Sequence, residues 1–171
     1  MEQIGHLQWT IGIFLIIVSV LNIPITGWDI LILGLVTPLP DILDLLWGKQ
    51  NFNLRHRFIT HSLFFVLFWF IIAWLYTYRI FFLIGLGILF HIIEDIIAGG
   101  VHINIFSPFS GPKIMIISKG TQKKIGKLVK KYFSAYFLGT ESLSENLAYY
   151  WLITMVGSWL FILGLTFYLF V

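Results

Sequence analysis

Apolar residues run along this chain in five long stretches separated by short polar intervals. An α-helix rises about 1.5 Å per residue, so an apolar bilayer core of about 30 Å takes roughly 20 residues with few charges to cross. Residues 7–25 contain no Asp, Glu, Lys or Arg and end at Pro24 and Gly27. Residues 30–47 begin apolar and then meet Pro38, Pro40, Asp41 and Asp44. Residues 62–78 are uncharged and aromatic-rich, residues 80–98 stay apolar until Glu94 and Asp95, and residues 147–171 are the longest uncharged run. This pattern predicts an all-α fold, a polytopic transmembrane helical bundle of about five membrane segments. Ser142 and Glu145 have the spacing of a capping box ahead of the fifth. The first stretch has neither a basic leader nor a small-residue cleavage site, so it reads as a retained helix and not a signal peptide.

The connection between the fourth and fifth stretches is patterned differently. Val101, Ile103 and Ile105 alternate, Pro108 to Pro112 marks a turn, and residues 114–117 resume as apolar, which predicts a short hairpin. Beyond Gly120, Ile125, Leu128, Val129, Tyr132, Phe133 and Tyr136 recur at helical spacing among lysines, which predicts an amphipathic basic helix. The expected organisation is a membrane core over residues 1–98, a cytoplasmic insertion over 99–146 and a last membrane helix over 147–171.

Composition agrees with the pattern. Of 171 residues, 58% are hydrophobic and only 11% charged, against roughly 25% charged in soluble domains. The absence of cysteine excludes a disulfide scaffold. The net charge of +3 does not point to nucleic acid, because ten of the eleven basic residues lie in two tracts: Lys49, Arg55 and Arg57, then Lys113 to Lys131. With five spans both tracts fall on one side, which predicts a cytoplasmic N-terminus and an external C-terminus. The second tract is expected to meet anionic lipid headgroups, or a cytoplasmic protein partner.

Ionisable groups inside membrane segments are costly and mark function by default. Three clusters fall at the expected cytoplasmic ends of their helices: Asp41 with Asp44, the run Arg55-His56-Arg57-Phe58-Ile59-Thr60-His61-Ser62, and His91 with Glu94 and Asp95. His91 and Asp95 are four residues apart and share a helix face. Imidazole and carboxylate without thiolate suit Zn²⁺, Mn²⁺ or Fe. Guanidinium matches phosphate oxygens, so Arg57 is a candidate for holding a substrate anion. Ser62 lacks a nucleophile elbow and reads as a supporting hydroxyl. Glu94 points about 100° from Asp95 on the helix and, with Asp44, is a candidate proton acceptor. His6 and His102 are further candidates near the same end.

These residues carry a family resemblance. The chain resembles the YdjM-like predicted membrane-bound metal-dependent hydrolases, also described as LexA-binding and inner-membrane-associated. The matching elements are Gly5-His6, Leu39-Pro40-Asp41, His56-Arg57 with Thr60-His61-Ser62, and His91 with Asp95, Gly100 and Pro108. Two positions depart from the family pattern: Leu43 stands where an acid is usual, the second acid being Asp44, and Phe58 stands where a glycine is usual. The resemblance implies a divalent metal, zinc foremost, held by Asp41, His61, His91 and Asp95, with His56 at or beside it. It also implies hydrolysis at the inner membrane, and the depth of the polar clusters near the cytoplasmic interface points to an ester or phosphoester of a lipid or lipid-linked substrate. A non-enzymatic adaptor with a structural metal, or a transporter, would use the same residue types differently.

Overall fold

The structure, a computed structural model, describes residues 2–48, 59–98, 103–107, 113–133 and 144–170. Seven helices and one two-stranded hairpin follow in chain order: α1 (Glu2–Val20), α2 (Gly27–Val36), α3 (Leu39–Gly48), α4 (Leu63–Tyr76), α5 (Arg79–Ala98), β1 (Ile103–Asn104), β2 (Lys113–Ile114), α6 (Lys119–Phe133) and α7 (Glu145–Phe170). Among them, α5 over Arg79–Ile97 and α7 are long and apolar enough to cross a membrane, while Ile4–Val20 and Leu63–Tyr76 are shorter apolar helices. The expectation of five full spans is therefore met in part.

The second expected span is corrected. It is two ten-residue helices, α2 and α3, each about 15 Å long and so half the length that a full span needs. Pro38 and Pro40 lack the N–H groups that would continue the α2 ladder, and the chain kinks there. Thr37 closes α2 by donating its hydroxyl to the Leu33 carbonyl at 2.8 Å. The ladder restarts where Ile42 N–H reaches the Pro38 carbonyl at 3.1 Å. This kink sets Asp41 in the first turn of α3.

The other elements follow local chemistry. Ser62 caps α4, its hydroxyl accepting from Phe65 N–H and donating to the Ile59 carbonyl, so its role is structural. Ser144 caps α7, accepting from Leu147 N–H at 3.3 Å. The cap is thus Ser144, and the proposed partner Ser142 lies outside the described residues. The hairpin is antiparallel, pairing Ile103 with Ile114, as the alternation predicts. It is tied to the helices by Leu63 N–H on the Ile105 carbonyl and Ile116 N–H on the Ile96 carbonyl. Within it, Ile103 is fully buried.

Two helical groups result. In one, α5 packs against α4 and α2, with Val36, Val66, Ile88 and Ile92 at its centre. In the other, α1 packs along α7, which also carries α6. The α1–α7 seam is built from glycines. A Cβ at Gly12 would meet the Leu160 carbonyl carbon at 2.6 Å, and one at Gly164 would land on the Gly12 carbonyl. Small residues let apolar helices approach this closely in membranes, where no hydrophobic force separates helix from lipid. Trp9 Nε1 donates to the Ile153 carbonyl at 3.0 Å, and Ser158 donates to Gln8 Oε1 at 3.1 Å. At the opposite end of α5 from its acids, Arg79 Nε pairs with Asp29 at 2.8 Å and its Nη2 donates to the Pro24 carbonyl. Asp29 also accepts from Thr26 in a capping box.

Candidate metal centre

Three separate elements bring four side chains to one point. Asp41 comes from the first turn of α3, His61 from the turn before α4, and His91 with Asp95 from successive turns of α5. Their ligand atoms lie within 4.8 Å of one another. His61 Nε2 is 3.2 Å from His91 Nε2, 3.4 Å from Asp41 Oδ1 and 3.5 Å from Asp95 Oδ2. His91 Nε2 is 3.6 Å from both Asp41 Oδ1 and Asp95 Oδ2.

These separations have a physical meaning. A tetrahedron with metal–ligand bonds of about 2.0–2.2 Å has edges of about 3.3–3.6 Å, close to the 3.2–3.6 Å that separates the imidazole nitrogens from each other and from the carboxylates. Two carboxylates within 4.8 Å repel by about 3.5 kcal/mol at an effective dielectric of about 20. Such convergence of lone pairs and negative charge suits a cation at the centre. The donor set, two imidazoles and two carboxylates without thiolate, fits a divalent metal. His61, His91 and Asp95 are at most 1% exposed at the side chain, whereas Asp41 is 27% exposed. Asp41 is thus the one partly exposed member of the cluster.

One of the four, His61, is held from behind, whereas the outer ring nitrogen of His91, Nδ1, is buried without a hydrogen-bond partner. Asp44 Oδ2 lies 3.2 Å from His61 Nδ1, and Thr60 donates its hydroxyl to the other oxygen of Asp44. This puts the His61 ring hydrogen on Nδ1 and turns the Nε2 lone pair into the cluster, the arrangement by which carboxylates orient metal-ligating histidines. On α1, His6 Nδ1 is 2.6 Å from Glu94 Oε2, and Thr10 donates to Glu94 Oε1 at 2.9 Å. His6 Nε2 faces Asp95 Oδ1 at 3.5 Å, and its ring packs 4.7 Å from that of His91. Asp44 and Glu94, expected as proton acceptors, are each committed to a histidine. Asp44 thus stands behind a member of the cluster, and Glu94 stands behind His6. His6, a candidate to complete the site from another helix, brings α1 into contact with the cluster. Its Gly-His position at a helix start was the available signal. His56, Arg57 and His102 lie outside the described residues.

Asp44→Asn is expected to weaken metal binding by about 10–100-fold without abolishing it, the usual effect of losing an orienting partner. Titration with a competing chelator would measure it, and an unchanged affinity would remove Asp44 from the site.

The family model for the YdjM inner membrane protein matches residues 1–170. No curated protein and no solved structure matches the chain.

Proposed function

Because the chain belongs to the YdjM inner membrane protein family, we propose that its buried cluster works at the bilayer and that it is a metal-dependent hydrolase of lipid or lipid-linked esters. In this reading Asp41, His61, His91 and Asp95 hold one divalent cation, with Zn²⁺ first by geometry and Mn²⁺ or Fe as the alternatives. The observation that carries the reading is the convergence of two Nε2 atoms and two carboxylates from three elements within 4.8 Å of one another.

A divalent cation there supplies Lewis acidity and brings the pKa of water toward neutrality. The chain supplies the rest. Asp44 with Thr60 and Glu94 with His6 fix the ligands' orientation. Asp41, the one partly exposed member, faces the side from which an ester or phosphoester would enter. Arg57 precedes His61 by four residues and is proposed to hold the substrate's anionic group bidentately; His56 is proposed as an additional ligand or ligand partner. The basic tracts put this end of the helices on the cytoplasmic side by the positive-inside rule, so the substrate would be a headgroup or lipid-linked phosphate of that leaflet.

A second reading is favoured by a specific feature: four protein ligands make a closed site, the usual form of a structural metal. The two separate in one experiment. Purified protein loaded with Zn²⁺ or Mn²⁺ is offered a panel of phospholipids and lipid-linked phosphates, and product release is followed by mass spectrometry. The hydrolase reading predicts metal-dependent release that His91→Ala reduces to background. Stoichiometric metal with no release from any substrate would instead make the cation a helix staple in an adaptor.

A further inference from the structure

The α6 helix carries six lysines and no acid, and the metal site uses none of them. Its placement is unusual for a cytoplasmic helix. Gln122 and Val129 are buried, and the Gly126 backbone is pressed against the Glu145 carbonyl in the first turn of α7. Buried Tyr149 lies one turn further along α7. Because α7 has 26 apolar-rich residues, about 39 Å of helix, a crossing of an apolar core of about 30 Å would leave its first turn at the rim of the bilayer. A helix fastened there lies within reach of headgroups.

The periodic apolar positions of α6 divide between two surfaces. Val129 turns to α7, but Leu128 and Tyr132 stay 54% and 60% exposed. At about 100° per residue, Lys127, Lys131, Lys124, Leu128 and Tyr132 fall in that order around less than half the circumference, opposite the buried side. Lys131 Nζ sits 5.4 Å from the Tyr132 ring centroid. The outer face is thus two apolar side chains one turn apart, bordered by three lysines.

We infer that this face docks on the anionic phospholipid surface of the protein's own membrane, with Leu128 and Tyr132 entering the interface and Lys124, Lys127 and Lys131 meeting lipid phosphates. Lysine stems lie along apolar surface while their ammonium groups stay at the headgroups, so both residue classes are satisfied at once. A nucleic acid would engage the lysines alone and leave Leu128 and Tyr132 in water. The α6–α7 anchorage and the acid-free charge both favour anionic lipid.

The chain contains no cysteine, so a single introduced one is labelled cleanly. Full-length protein carrying Leu128→Cys, and in parallel Tyr132→Cys, would bear an environment-sensitive fluorophore in nanodiscs of phosphatidylcholine alone or mixed with phosphatidylglycerol. The expected result is blue-shifted emission and protection from an aqueous quencher in the phosphatidylglycerol discs only, weakening at high salt. Each lysine is expected to contribute about five-fold to the docked population, so Lys124→Gln, Lys127→Gln and Lys131→Gln together lower it on the order of 100-fold. Identical water-like emission in both lipids at both positions would overturn the inference. So would emission that shifts only when an oligonucleotide is added, which would assign the face to nucleic acid.

Discussion

Replacing His91 or Asp95 with alanine is expected to strip the divalent cation from the protein. Each side chain is at most 1% exposed and each aims one ligand atom into the cluster, so neither water nor a neighbouring side chain replaces it without moving a helix. Partners that merely orient a ligand are worth about 10–100-fold in affinity; loss of a ligand itself is expected to exceed about 100-fold. The effect extends to stability. A ligand bound only by the folded state stabilises it by about 4 kcal/mol when present at a thousandfold excess over Kd. Added Zn²⁺ is therefore expected to raise the melting temperature of the parent protein in detergent and to leave both variants unmoved. The metal-free proteins should behave in the opposite sense: Asp95→Asn removes one of two carboxylates crowded within 4.8 Å, and without metal it should be as stable as the parent or more so. Variants that keep stoichiometric metal would show that His91 and Asp95 are not ligands.

The second large effect is structural. Gly12→Leu is expected to separate α1 from α7. A Cβ at Gly12 meets backbone atoms, the Leu160 carbonyl carbon at 2.6 Å and Phe161 N at 2.7 Å, and no rotamer change relieves a clash with backbone. Overpacking in cores costs about 1–3 kcal/mol where side chains can shift; here a whole helix must move, so the cost should lie at or above the top of that range. The consequence reaches the site, because α1 also carries His6 and Thr10, the partners of Glu94. Thermal unfolding in detergent should show a lowered midpoint, and metal affinity should fall with it. A Gly12→Leu protein with the parent's stability would mean that α1 and α7 do not meet along this seam.

Much of the site was legible because its chemistry is local. His91 and Asp95 share a face by helical period alone, and the same 100° step separates Glu94, which indeed turns to α1. The hairpin was legible from alternation and α6 from its period. What was not legible depends on tertiary partners. Hydropathy counts side chains and does not register missing N–H donors, so residues 30–47 read as one span although Pro38 and Pro40 were in view; the kink is what delivers Asp41 to His61. The apolar stripe of α6 read as one surface, whereas contact with α7 buries Val129 and leaves Leu128 and Tyr132 outside. His6 was legible as a candidate to complete the site from another helix, but its partner was not, because nothing in its neighbourhood of the chain indicates Glu94, 88 residues away.

The central claim is that Asp41, His61, His91 and Asp95 form one divalent-cation site. Elemental analysis of the purified parent protein, followed by X-ray absorption at the edge of the metal found, tests it most directly. The expected result is about one metal per chain with a shell of nitrogen and oxygen ligands at about 2.0–2.2 Å and histidine scattering beyond. A protein that takes up no stoichiometric Zn²⁺, Mn²⁺ or Fe at neutral pH, or binds metal without histidine in its shell, would contradict it.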